Sequence, residues 1–316
     1  MVSVLDLDHI AYRQRDLDLA ERFFTDFGMT KSARTGQELM MRGCGPNRYC
    51  YIAVQDDRPG IDSIALRVAA HAQLEEAARF PEASPIEAID RPGGGYRVRL
   101  TSPDGLPFEL VHGIEPVQPL PLRQALVCNY ARHKQRRGEW QRAAFEPAAV
   151  LRLGHVALLT PNYRVNADWF ASRFDMHPSD ILFDGDQANQ IGGFFHCGSA
   201  GGWTDHHTLA LFPAPVSKVH HCSFEVEDLD AQFLGNKYLQ KKGWTSLWGI
   251  GRHILGSQIF DYWFDPEGNV VEHFTDGDLV QPGRQPELHQ VSDNSLAQWG
   301  PPMPVSNFIE RRPFAG

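Results

Sequence analysis

The sequence is short of cysteine, of positive charge and of long apolar stretches. Its five cysteines, Cys44, Cys50, Cys128, Cys197 and Cys222, are odd in number and form no CxxC pair. That argues against a zinc-cysteine site or a disulfide framework and points to reduced thiols in a cytoplasmic protein. Thirty Lys and Arg stand against 39 Asp and Glu, a formal charge of -9. With no basic footprint for a phosphate backbone, nucleic acid is not an expected partner. No apolar run approaches the roughly 20 residues that span a bilayer, and the start, MVSVLDLDHI, has neither the basic nor the apolar region of a signal peptide. Neither a membrane partner nor secretion is expected. The glycine-rich stretches GCGPN and RPGGGYR match no phosphate-binding pattern, which leaves no nucleotide site.

What the chain does have is length, apolar content and histidine. Its 316 residues, 42% of them hydrophobic, suffice for about two domains, each with its own core. Fourteen histidines are present, and many crowd into residues 196–273. The chain also repeats itself. LDHIAYRQRDLDLAERFFTDFGM from Leu7 aligns with LGHVALLTPNYRVNADWFASRFDM from Leu153, with one extra residue in the second. Both read as a strand carrying a histidine (His9, His155), a polar loop and an amphipathic helix. Ala20, Phe23, Phe27 and Met29 match Ala167, Phe170, Phe174 and Met176, and the spacings of three and four put the first three on one buried face.

A second pair of strand-helix segments follows, from Ser63 and from His221. Each half then closes with strand, turn and strand, SPDGLPFELVHG from Ser102 matching DPEGNVVEHFTDG from Asp265, so that Glu109 corresponds to Glu272. The fold expected is α+β, two tandem domains each of two βαβββ modules curling a sheet around a funnel. The boundaries are an N-terminal non-catalytic domain over residues 1–135, a C-terminal catalytic domain over 136–289, and a tail over 290–316 that wraps the surface or meets a neighbouring subunit. The join near 115–148 holds a proline-rich stretch and the basic run RHKQRRGEW, which reads as a solvated face. Tail and linker together suggest a homo-oligomer.

The two halves differ where chemistry would sit. The second supplies His155, His221 and Glu272 on three repeat-related strands, the two-His-one-carboxylate face that binds Fe(II) with open coordination positions and accepts Mn(II) as well. The first has His9 and Glu109 but Ser63 in place of the second histidine, and should hold no metal at that place. His221 is preferred to His220 by register, since a one-residue slip would turn His220 to the opposite face.

These residues lie in a stretch with a wider likeness. GRHILGSQIFDYWFDPEGNVVEHFTDGD, from Gly251 to Asp278, resembles the signature of the type I extradiol ring-cleavage dioxygenases of the vicinal oxygen chelate superfamily, the group of the catechol 2,3-dioxygenases and 2,3-dihydroxybiphenyl dioxygenases, in which a histidine, a tyrosine and the glutamate ligand follow one another. The likeness extends over about residues 5–280. It places those roles on His253, Tyr262 and Glu272, while DHHTLAL resembles the segment with the acid-base histidine and gives that role to His207. It implies a non-heme Fe(II) enzyme that opens a catechol next to the diol with O2, giving a muconic semialdehyde-type product. Tyr262 and His253 would donate hydrogen bonds to the bound catecholate. Arg99 stands where the first half would need that tyrosine.

His196 and His206 receive no role from the sequence. Phe194, Trp203, Trp244 and Trp248 are expected to furnish aromatic surface near the site, and Arg252 is the arginine that a carboxylated catechol would call for. Other functions of the same scaffold are a metal-dependent isomerase or transferase of the glyoxalase or fosfomycin-resistance kind, a metal-free binding module like the bleomycin-sequestering proteins, and a hydroxyphenylpyruvate-dioxygenase-like enzyme.

Overall fold

In the computed structural model, which describes residues 1–124, 126–198, 202–281, 283–292 and 296–304, strands and helices follow the repeat. The first half runs β1 (Val4–Gln14), α1 (Leu17–Asp26), β2 (Thr30–Arg34), β3 (Glu38–Arg42), β4 (Tyr51–Gln55), β5 (Gly60–Val68), α2 (His71–Ala77), β6 (Glu87–Ala88), β7 (Tyr96–Thr101) and β8 (Pro107–His112). The second runs β9 (Val150–Thr160), α3 (Tyr163–Phe174), β10 (Met176–Phe183), β11 (Gln190–Cys197), β12 (Thr204–Asp205), β13 (Leu209–Pro213), β14 (Lys218–Val226), α4 (Leu229–Lys242), β15 (Ser246–His253), β16 (Ile259–Phe264) and β17 (Val270–Thr275). Three short strands follow, β18 (Leu279–Val280), β19 (Glu287–Gln290) and β20 (Ala297–Trp299). The expected pairs of βαβββ modules are therefore present.

The eight-stranded sheet has the order β2-β3-β4-β1-β5-β8-β7-β6, and the ten-stranded sheet repeats it as β10-β11-β13-β9-β14-β17-β16-β15, flanked by β19 and β20. In each, two modules join through one antiparallel pair, β1 with β5 and β9 with β14. Each module closes on itself through a parallel pair, as in β14 with β17. Local chemistry sets the boundaries. Asp16 caps α1 by accepting from the amides of Asp18 and Leu19, and Asp228 caps α4 by accepting from Ala231. The two matching turns place Gly105 and Gly268 at φ 85° and 80°, a conformation that glycine adopts without steric cost. No regular element occurs between β8 and β9 among the described residues.

One apolar core joins the halves. Phe23 of α1 meets Trp244 edge-on at 5.0 Å, Phe27 meets Phe224 at 5.9 Å, and Phe108 lies 5.7 Å from Trp169. Polar contacts cross at the same seam: Gln14 Nε2 donates to Asp265, and His273 Nε2–H donates to the carbonyl of Phe27. Burial drives the His273 imidazole down to about 4, so it stays neutral in that contact. Gly28 is the tightest point. Its φ is +105°, and a Cβ there would lie 1.7 Å from the carbonyl oxygen of Ala148. Gly28→Ala should therefore cost about 2–4 kcal/mol of stability through strain and overpacking, measured as a lower urea midpoint with the m-value unchanged; a midpoint equal to wild type would show that the seam yields.

Candidate metal centre

Strand pairing decides which side chains converge. In the second sheet His155 pairs with Ser223, His221 with Ala157, Ser223 with Glu272, and Tyr262 with Glu272. In the first, His9 pairs with Ala65, Ala11 with Ser63, Ala65 with Glu109, and Arg99 with Glu109. The two registers superimpose term by term, so His155, His221, Glu272 and Tyr262 occupy the places of His9, Ser63, Glu109 and Arg99.

His155 Nε2, His221 Nε2 and the Glu272 Oε2 atom form a triangle with sides of 3.1, 3.4 and 3.4 Å. Ligands about 2.1 Å from a metal lie about 3.0 Å apart on an octahedral face and about 3.4 Å apart in a tetrahedron, so this triangle has the dimensions of one coordination face. All three residues are buried, and Glu272 Oε2 has no hydrogen-bond partner of good geometry. A desolvated carboxylate oxygen left this way is costly unless a cation faces it. Burial pushes His221 well below the usual imidazole range, against the pull of the Glu272 charge, so the ring stays neutral and has a lone pair to offer. Burial alone would raise Glu272, but the His155 and His253 imidazoles outweigh it and hold the carboxyl well below its ordinary range. The donor set thus fits a divalent metal.

The remaining candidates gather around a cavity of about 430 Å³ that His155 and His221 also line. His207 lines it and packs its ring 4.3 Å from that of His155. His253 Nε2 lies 2.9 Å from the Tyr262 hydroxyl, and Tyr262 is buried. Burial, followed by the nearby Glu272 charge, raises Tyr262 well above its ordinary value and keeps it a phenol. His253 Nδ1 is 2.7 Å from the carbonyl of Leu296. Because that oxygen only accepts, His253 places a proton on Nδ1, and a ring with that single proton accepts from Tyr262 at Nε2.

Some aromatic surface lies elsewhere than expected. Phe194 lines the cavity, whereas Trp248 stacks behind Tyr262 at 5.8 Å, Trp203 is exposed, and Trp244 is held in the seam between halves by Phe23 and Asp26. Of the glycine-rich stretch between Phe194 and Trp203, residues 199–201 lie outside the described residues. Arg252 points away from the cavity: it donates to Ser257 O and to Asp276, and its guanidinium sits over Trp299. His220 also lines the cavity, because a bulge between Val219 and His221 breaks the alternation that would turn it away; its Nδ1 lies 2.7 Å from that of His221. Sequence reasoning had no signal for Leu296 and Met303, which reach the cavity from the segment after residue 290, beyond the repeat. His196 makes its contact with Ser179 and is absent from the cavity lining.

In the first half the cation is built in. Glu109 is buried but faces Arg97 at 3.2 Å and Arg99 at 3.7 Å.

Comparison with known proteins agrees with this architecture. Residues 152–273 match the model of the Glyoxalase/Bleomycin resistance protein/Dioxygenase superfamily, so the second half contains a domain of that superfamily. The chain is 28% identical over 318 residues to Metapyrocatechase 2 of Cupriavidus necator, covering 96% of this chain and 91% of that protein. It has the fold of the Mn(II)-bound glyoxalase from Novosphingobium aromaticivorans, with TM-score 0.81, 24% identity, and coverage of 97% and 94% of the two chains. It likewise has the fold of homoprotocatechuate 2,3-dioxygenase from Brevibacterium fuscum, with TM-score 0.81, 17% identity, and coverage of 98% and 92%.

The two halves predict opposite responses to the same substitution. His221→Ala should weaken Fe(II) or Mn(II) binding by at least about 100-fold, whereas His9→Ala should leave metal content at the wild-type level. Metal analysis after gel filtration reads both, and loss of metal from the His9 variant would place the site in the wrong half.

Proposed function

We propose that this protein is an extradiol dioxygenase, which uses Fe(II), or Mn(II), held by His155, His221 and Glu272 to open a catechol next to its diol with O2, giving a muconic semialdehyde-type product. One observation carries the reading: His207, the His253–Tyr262 pair and the two imidazole ligands, His155 and His221, all border one mostly apolar cavity, with Glu272 Oε2 3.1 and 3.4 Å from the two imidazoles. A glyoxalase-type isomerase would share the ligands but has no need of that second group. When bound, the metal supplies Lewis acidity and a template that brings catechol and O2 together at its open positions.

The chain's own residues do the rest. His253 Nε2 and the Tyr262 oxygen hold one proton between them at 2.9 Å, so the pair can take a proton from a catechol hydroxyl and retain a donor toward the resulting anion. His207, whose ring packs 4.3 Å from that of His155, is placed to move a second proton at the reacting ring carbons and oxygen. Leu159, Phe194, Phe212 and Leu255 exclude water from the cavity.

The lining also selects the substituent. No Lys or Arg is among the lining residues described, and Arg252 is committed to Ser257 and Asp276. A substrate carboxylate would be buried without a guanidinium or ammonium among the described residues to pair with, whereas an alkyl or aryl group would meet Leu182, Ile191 and Phe212.

Anaerobic loading with Fe(II), followed by a panel of catechols in air, should give a yellow product and one O2 consumed per catechol. Alkyl- or aryl-catechols should exceed carboxylated ones by roughly 100-fold or more in kcat/KM. Metal binding without O2 uptake by any catechol would favour the isomerase reading, and a preference for carboxylated catechols would show that a cation reaches the cavity.

A further inference from the structure

His207 does not stand alone. Its Nδ1 lies 3.0 Å from His206 Nδ1, His206 Nε2 lies 2.8 Å from Asp180 Oδ2, and His289 Nε2 lies 3.0 Å from Asp180 Oδ1. His206, His207 and Asp180 are all buried. This chain runs from the cavity through β10 to half-buried His289 on the edge strand β19.

The hydrogen positions follow from what each atom can do. Burial would raise Asp180, but the hydrogen bonds from His206 and His289 outweigh it and keep the carboxyl below its ordinary range. It is therefore ionised and accepts only. His206 then places a proton on Nε2 toward Asp180, and an imidazole with that single proton offers its Nδ1 as a lone pair. The proton in the contact between the two imidazoles thus belongs to His207 Nδ1. His207 in turn presents Nε2 as its basic nitrogen.

The arrangement is also built sterically. Gly256 has φ +77°, and a Cβ there would lie 2.9 Å from His206 Nδ1, so that position admits the ring by having no side chain. Phe194 packs 5.6 Å from His206 and 5.0 Å from His207, and the His206 amide donates to the carbonyl of Asp278.

We propose that Asp180 and His206 are positioning residues that lock His207 in its Nδ1–H tautomer and so aim a basic Nε2 at the bound substrate. The geometry of the chain stands on its own, while the role at substrate rests on the dioxygenase reading. The logic is that of a carboxylate that holds a catalytic imidazole in the correct tautomer, here acting through a second imidazole. His289 anchors the far oxygen of Asp180 and so fixes the direction of the relay's end.

Long-range 1H–15N spectra of the metal-free wild-type protein test the tautomer without turnover: His207 should show a protonated Nδ1 and an unprotonated Nε2. His206→Leu should lower kcat about 10- to 100-fold with KM for the catechol nearly unchanged and should give His207 signals averaged between tautomers. His206→Gln, which can both donate to Asp180 and accept from His207, should restore most of the rate and the wild-type signals. A protonated Nε2 on His207 in the wild type, or a Leu variant with wild-type kcat, would overturn the proposal. If the wild type shows the expected tautomer but opens no catechol, the dioxygenase reading fails and the positioning chain stands.

Discussion

A buried carboxylate must be compensated, and the two halves of this chain compensate equivalent carboxylates in different ways. Glu109 has guanidinium groups from Arg97 and Arg99 within 3.2 and 3.7 Å. Glu272 is faced instead by the imidazoles of His155 and His221, and the three ligand atoms leave a place that a divalent cation would fill. Much else in the second half follows from that arrangement. His221 stays unprotonated because it is buried, and Tyr262 stays protonated because it is buried beside an anion. The ligand atoms converge to 3.1–3.4 Å of one another.

The sheets make this convergence reproducible. Ligands sit on three different strands, and the antiparallel junction of β9 with β14, together with the parallel pairing of β14 with β17, sets their relative heights. A shift of one residue on any of the three would turn a ligand to the other face. The helices between the halves, packed through Phe23, Phe27 and Phe170, hold the sheets against such sliding. Orientation then comes from adjacent residues that grip an imidazole through Nδ1: Asp8 on His9, His220 on His221 and His206 on His207, at 2.7, 2.7 and 3.0 Å.

The repeat made the fold and the grouping of His155, His221 and Glu272 legible, because corresponding sequence positions become corresponding register positions when strand pairing is preserved. The same comparison picked out Arg99 as the counterpart of Tyr262. What stayed hidden depended on contacts between segments with no repeat relation. His289 meets Asp180 only because β19 adds to the edge of β10, and Leu296 reaches His253 from a segment that has no counterpart in the first half. His220 was misplaced for a local reason: alternation assumes an unbroken strand, and the bulge at Val219 adds a residue. Trp244 and Arg252 each found a stronger partner, Phe23 with Asp26 and Ser257 with Asp276, than the cavity offers.

The central claim is that the second funnel inserts both atoms of dioxygen into an aromatic diol. Mass spectrometry of the ring-opened product formed under 18O2 by the Fe(II)-loaded protein addresses it most directly, with an alkyl- or aryl-catechol as substrate and quenching before solvent exchange. The account predicts that the product carries two labelled oxygens. A product with one label or none, or a catechol oxidised to its quinone with no label at all, would contradict it.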